Sequence, residues 1–219
     1  HVKMVVMACN TSSALALEAV RSEFKVPILG LILPGAKAAV SQGKRIGVIA
    51  TPATAKSGAY RQAIQEIDST AQVWEVGCPE FVPLIESDRI GDPYTEQVAR
   101  EYLKPLLHEN IDTLVFGCTH YPHLEAVLRK ILPPHVTLVD PAVATATAID
   151  RELALLGLHA QNAPHPTQFG VSGNPEQFTK LAAQWLGFTP HVARIELPSV
   201  EGQPSSENLA RSATVDVSA

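Results

Sequence analysis

An α/β fold built around a mainly parallel sheet is predicted for this 219-residue sequence by three of its features. Short β-branched runs alternate with longer stretches of helical period. Two of those runs end in the same way, in a cysteine followed by hydrogen-bonding residues. Apolar residues make up 46% of the chain, enough to bury a sizeable core.

The alternation is read in chain order. Residues 2–7, 45–49, 72–76, 113–116 and 137–139 read as buried strands, and all but the third lead into a helical stretch. The helices expected are 13–21, 54–66, 92–110, 123–131 and 143–156, where apolar residues recur at three and four positions. Pro105 is expected to kink or break the longest of them. After Gly157 a loop rich in Pro, His and Asn precedes one more strand and helix, 168–171 and 176–186. From Pro198 onward there are too few large apolar side chains to offset the entropy of ordering, so 198–219 is expected to be a disordered tail.

The second feature is an internal likeness. Val5-Val6-Met7-Ala8-Cys9-Asn10-Thr11 recurs in kind as Leu114-Val115-Phe116-Gly117-Cys118-Thr119-His120. Each copy is followed by a helix and a second apolar strand, reaching Pro34-Gly35-Ala36 in one case and Pro141-Ala142 in the other. Two βαβ halves, each with a cysteine at the same place, is the economical reading.

Composition narrows the function. Seventeen basic and 22 acidic residues are spread without long runs, so no electropositive stripe marks a nucleic-acid surface or an anionic membrane surface. The longest apolar stretches are interrupted, as by Pro27 and Gly30, and are too short to span a bilayer. Three cysteines do not pair completely within one molecule, which fits a reducing cytoplasm better than secretion.

The thiols then need their own account. In open α/β sheets, ligands collect beyond the carboxyl ends of the strands, and both Cys9 and Cys118 are expected there. Helices starting at Ser12 or Ser13 and at Pro122-His123 would aim N–H groups and a positive dipole end at them. Cys78, in Gly77-Cys78-Pro79, reads as a small core residue. Metal binding by Cys9, Cys118 and His120 is disfavoured, because the chain has no Cys-x-x-Cys or His-x-x-x-His pair of the kind from which zinc sites usually draw two ligands. A redox pair lacks the usual Cys-x-x-Cys arrangement. Two opposed thiols can instead act as base and acid on opposite faces of one carbon, which inverts it.

Ala8-Cys9-Asn10-Thr11 and Gly117-Cys118-Thr119-His120-Tyr121-Pro122 resemble the two signatures of glutamate racemases, within the aspartate/glutamate racemase superfamily. The resemblance extends through Pro34 to Ala36, Gly47 to Thr54, Ser57 to Tyr60, Cys78 to Glu86, Val139 to Ala142 and Val171 to Pro175, covering roughly residues 1–195. It implies two pseudo-symmetric parallel-sheet α/β domains facing a central cleft, one made of residues 1–30 plus 141–197 and the other of residues 31–140. It also implies racemisation of glutamate, in the cytoplasm, with neither pyridoxal phosphate nor metal. The product feeds peptidoglycan synthesis. The partner expected is the small-molecule substrate, with no nucleic acid and no membrane, and a homodimer is the assembly to test.

Carried over residue by residue, the resemblance makes Cys9 the base toward D-glutamate and Cys118 the base toward L-glutamate. Asn10, Thr11, Thr119 and His120 would bind the carboxylate and amino group, and His120 would also assist Cys118. Glu86 is a secondary catalytic candidate on the same side. Thr51 and Thr54 are candidates for the side-chain carboxylate, with helix capping as the alternative. The competing readings are an aspartate or hydantoin racemase of the same superfamily and a non-catalytic binding protein on this fold. Family members open with a strand ending in Asp-Ser-Gly and a later Tyr-Gly, and neither string precedes Val2. The chain is accordingly read as the C-terminal part of a longer protein.

Overall fold

A computed structural model describes residues 2–162 and 165–198. The expected tail lies outside the described residues, except for Pro198. The described residues fall into two compact units that meet at Gln161 and Asn162.

The first unit opens with β1 (Val5–Met7), α1 (Asn10–Glu23) and β2 (Ile28–Gly30). The two strands pair in parallel, with Met7 opposite Gly30. Ser13 ties this βαβ unit together, donating to the Met7 carbonyl at 2.9 Å and accepting from the Leu31 N–H at 3.1 Å.

Next come α2 (Ile32–Gln42), β3 (Arg45–Ala50), α3 (Pro52–Ser57), α4 (Ala59–Ile67), β4 (Gln72–Gly77), α5 (Phe81–Glu86), α6 (Pro93–His108), β5 (Thr113–Gly117), a 3₁₀ turn (Tyr121–Leu124), α7 (Glu125–Arg129), β6 (Thr137–Val139) and α8 (Pro141–Leu155). The four strands form one parallel sheet in the order β4-β3-β5-β6. Both of its faces are buried. Ile46, Val48 and Ala50 of β3 and Val115 of β5 pack toward α2 and α4, with Ala36, Ala39, Tyr60 and Ile64. Ile49, Leu114 and Phe116 belong to the opposite core, with Phe81, Val98, Leu103, Leu106 and Leu128 from α5, α6 and α7. Alternation with period two thus serves two cores at once, and so β5 reads as a continuous apolar run.

Several elements depart from expectation. The helix expected over 54–66 is two helices, because Gly58 at φ 66° closes α3 and opens α4. The strand expected over 2–7 is limited to Val5–Met7, and the helix expected over 123–131 is a 3₁₀ turn followed by the short α7. Pro34-Gly35-Ala36 lies inside α2, not at a strand end. Of the two effects expected of Pro105, a kink or a break, the break does not occur, since α6 continues to His108. The Pro lies in the last turn, where few hydrogen bonds remain to be lost.

The second unit contains β7 (Phe169–Val171), α9 (Pro175–Leu186) and β8 (Val192–Arg194), with β7 and β8 parallel. Asn174 caps α9 by accepting from the N–H groups of Glu176 and Gln177. Phe169 and Phe188 meet edge to face at 6.3 Å.

Candidate active site

The order β4-β3-β5-β6 makes the chain change direction between β3 and β5. A crevice opens beyond the carboxyl ends of two such strands. Ala50 pairs with Gly117 there, so the next residues, Thr51 and Cys118, emerge side by side. Gly117 permits this closeness, since a Cβ on it would come within 2.8 Å of both the Ala50 Cβ and the Ile49 carbonyl oxygen.

Cys118 is buried and packs into the core that holds Phe81 and Tyr121. Its Sγ lies 3.8 Å from His120 Nδ1, and His120 Nε2 lies 3.1 Å from Glu86 Oε1. In the neutral ring, an N–H at Nε2 turned to the carboxylate leaves the Nδ1 lone pair facing the thiol. The result is a thiol, a base and an orienting acid in series. Tyr121 anchors the turn from below, donating to the Cys78 carbonyl at 3.0 Å, and its ring meets Phe81 edge to face at 5.1 Å.

Burial pushes the Cys118 thiol pKa up. The backbone N–H of His120 works against this, while the charges of Cys9 and Glu86 add to it. Cys9 is therefore within electrostatic reach of Cys118. It caps the N-terminus of α1, in extended conformation and exposed, and its carbonyl accepts from the Ser13 N–H at 2.9 Å. The helix begins at Asn10, three residues ahead of the expected start, so Asn10 and Thr11 occupy its first turn. Cys78 is fully buried, and its thiol is pushed up to about 12, chiefly by that burial. It stays an inert core group, as expected.

Thr11, Thr51 and Thr54 converge. Their hydroxyl oxygens are 2.8 Å, 2.9 Å and 3.0 Å apart, a closed triangle joining α1 to the start of α3. Thr51 also accepts from the Thr54 N–H at 3.4 Å, so capping and site placement are not alternatives here. A closed ring of three hydroxyls spends its three protons internally. To donate to a carboxylate, one hydroxyl must turn outward, and the other two then polarise it. Thr119 is exposed beside Cys118.

One buried residue was not foreseen. Tyr60, on α4, is fully buried and donates to Asn10 Oδ1 at 2.6 Å. The available signal was a tyrosine four residues before Ile64 on the buried face of a helix, since a buried phenol requires a partner.

Residues 1–149 match the Asp/Glu/Hydantoin racemase family. A glutamate racemase of Gloeothece citriformis is 66% identical over 198 residues, covering 90% of this chain and 71% of that protein. One from Microcystis aeruginosa is 68% identical, covering 90% and 70%. Among solved structures, the glutamate racemase of Bacillus anthracis superposes with a TM-score of 0.87 at 36% identity, covering 91% of this chain and 76% of that one. That of Francisella tularensis, in complex with D-glutamate, superposes at 0.83 with 30% identity, covering 92% and 75%.

Proposed function

The chain belongs to the Asp/Glu/Hydantoin racemase family, and from that premise we propose that it interconverts L- and D-glutamate by proton transfer at Cα between Cys9 and Cys118. A thiolate takes the Cα proton from one face while the second thiol, still protonated, delivers one to the other. The next turnover starts from the opposite protonation state. Cys118 is the base toward L-glutamate and Cys9 toward D-glutamate. The D-glutamate formed serves peptidoglycan synthesis.

The observation that carries this reading is the convergence of the two cysteine motifs beyond strand ends: Thr11, two residues after Cys9, is hydrogen-bonded to Thr51, which emerges beside Cys118. His120, held by Glu86, takes the Cys118 proton and returns it. Asn10 and Thr119 hold the α-carboxylate and amino group together with Thr11. Thr51 and Thr54 offer a hydroxyl to the side-chain carboxylate. The Cα proton is weakly acidic, so the carbanion depends on preorganised hydrogen bonds to the α-carboxylate as charge flows into it. Both thiols and the donor set account for proton transfer without pyridoxal phosphate or a metal. Division of the chain into residues 1–30 plus 141–197 against residues 31–140 is part of the same reading, and the whole four-stranded sheet lying within the latter supports it.

Cys9→Ala and Cys118→Ala test the mechanism. Each is expected to lower the racemisation rate by roughly a hundred- to ten-thousandfold, the usual worth of a positioned acid or base, with the fold retained. The change in optical activity of either enantiomer with time reads the rate. Substantial turnover by either variant would overturn a mechanism that needs both thiols.

A further inference from the structure

Asn10 is 3% exposed, and its side-chain amide has two unlike ends. Its Oδ1 accepts from the Tyr60 hydroxyl at 2.6 Å. Its Nδ2 has no hydrogen bond among the described residues, yet no buried side-chain nitrogen or oxygen among them goes without a partner, so Nδ2 reaches solvent. An amide that turned over would bury the NH₂ against the phenol and present the oxygen outward. Such an oxygen would repel a carboxylate.

We infer that Tyr60 is a positioning residue for the reaction: by donating to Asn10 Oδ1 it fixes the amide so that Nδ2 is the end offered to the substrate carboxylate. This rests on the reading of Asn10 as a substrate ligand given above. The geometry suits the task, because Tyr60 reaches Asn10 from α4, fifty residues along the chain, and the phenol itself stays in the core packed around Ile64 and Ala36. The donor is also dependable. Burial foremost, then the charges of Asp140, Glu75 and Cys118, push the phenol far above its ordinary value, so it keeps its proton wherever the protein is folded. Asn10 Oδ1 is the acceptor that the structure gives this proton among the described residues, so a turned amide would leave the buried phenol O–H without one.

The test is a double-mutant cycle on kcat/KM with Tyr60→Phe and Asn10→Ala in the active enzyme. Tyr60→Phe removes one oxygen and leaves the ring in place. It is expected to lower kcat/KM by about tenfold, the worth of one well-placed hydrogen bond. In the Asn10→Ala background the same change is expected to alter kcat/KM by less than about twofold, because a residue that acts through Asn10 has nothing left to position. A purely structural role for Tyr60 would instead give the same loss in both backgrounds, and that additive result would overturn the inference. So would full activity in Tyr60→Phe alongside impaired Asn10→Ala. Full activity in Asn10→Ala would be the distinct failure of the underlying reading, and with it of the inference. Should Tyr60→Phe not fold, the side-chain amide resonance of Asn10 in the unaltered protein decides. D-glutamate is expected to shift it, and an unmoved resonance would show that Nδ2 does not face the substrate.

Discussion

Cys118 and Cys9 are the same chemical group in unlike surroundings. Cys118 is buried, and its proton is held by that burial and by the nearby charges of Cys9 and Glu86. Each charge is a raising influence, so removing either one must lower the pH at which Cys118 ionises. Cys9→Ser is therefore expected to move the appearance of the Cys118 thiolate to lower pH, and Glu86→Gln is expected to move it the same way. The ultraviolet absorbance of the thiolate across a pH titration measures this. Cys78 does not interfere, since its own thiol holds its proton up to about 12. An unmoved or upward-shifted titration in Cys9→Ser would mean that the two thiols do not sense each other. At this scale much of the candidate site was legible in the sequence as a set of residues, though not as a set of contacts. Cys9 and Cys118 stood out because polar residues follow both at strand ends, where a core position favours apolar neighbours. Tyr60 did not stand out, because nothing local to α4 says which distant group its hydroxyl will meet.

Among the elements, the junction of α3 and α4 shows what a short-range reading loses. Apolar spacing carries straight across Gly58, so period alone predicts one helix, but Gly58 takes the left-handed conformation at φ 66° and one helix ends there as the next begins. A Cβ at this position would meet nothing within 4 Å, so its whole cost is backbone strain. Gly58→Ala is expected to destabilise the protein by about 1 kcal/mol, measured by urea unfolding, with no repacking of the core. Equal stability of the variant would show that the break does not depend on that conformation. α2 was missed for a related reason. Pro34 resembles a strand stop, yet it falls in the first turn of the helix, where its absent N–H would have had no partner within the helix. The six-residue α5 and three-residue β8 are too short for period to register.

Over the whole molecule, the two buried cores hold groups that resist ionisation together. Cys78 is pushed up to about 12, and burial raises Tyr60 and Tyr121 above the ordinary phenol range. A group whose folded pKa exceeds its unfolded value contributes stability that is complete below the unfolded pKa and is lost as pH rises through the folded one. The midpoint of thermal unfolding is therefore expected to decline from about pH 9, the ordinary thiol value, toward about pH 12. It should decline less steeply in Cys78→Ala. Circular dichroism melts across that range check this, and an unfolding midpoint that stayed level from pH 8 to pH 11 would contradict it. The sequence by itself determined the α/β class, most strands and helices, and the two cysteine motifs, because hydrophobic period, turn chemistry and neighbouring residues are local properties of the chain. Only the tertiary structure decided the strand order that sets Ala50 against Gly117, the triangle of Thr11, Thr51 and Thr54, and the bond from Tyr60 to Asn10. Apart from Thr51 and Thr54, which are three positions apart, those contacts join residues some 40 to 67 positions apart. Their partners are chosen by which helix packs on which face of the sheet, and that choice is a property of whole surfaces meeting, which no single stretch of sequence contains.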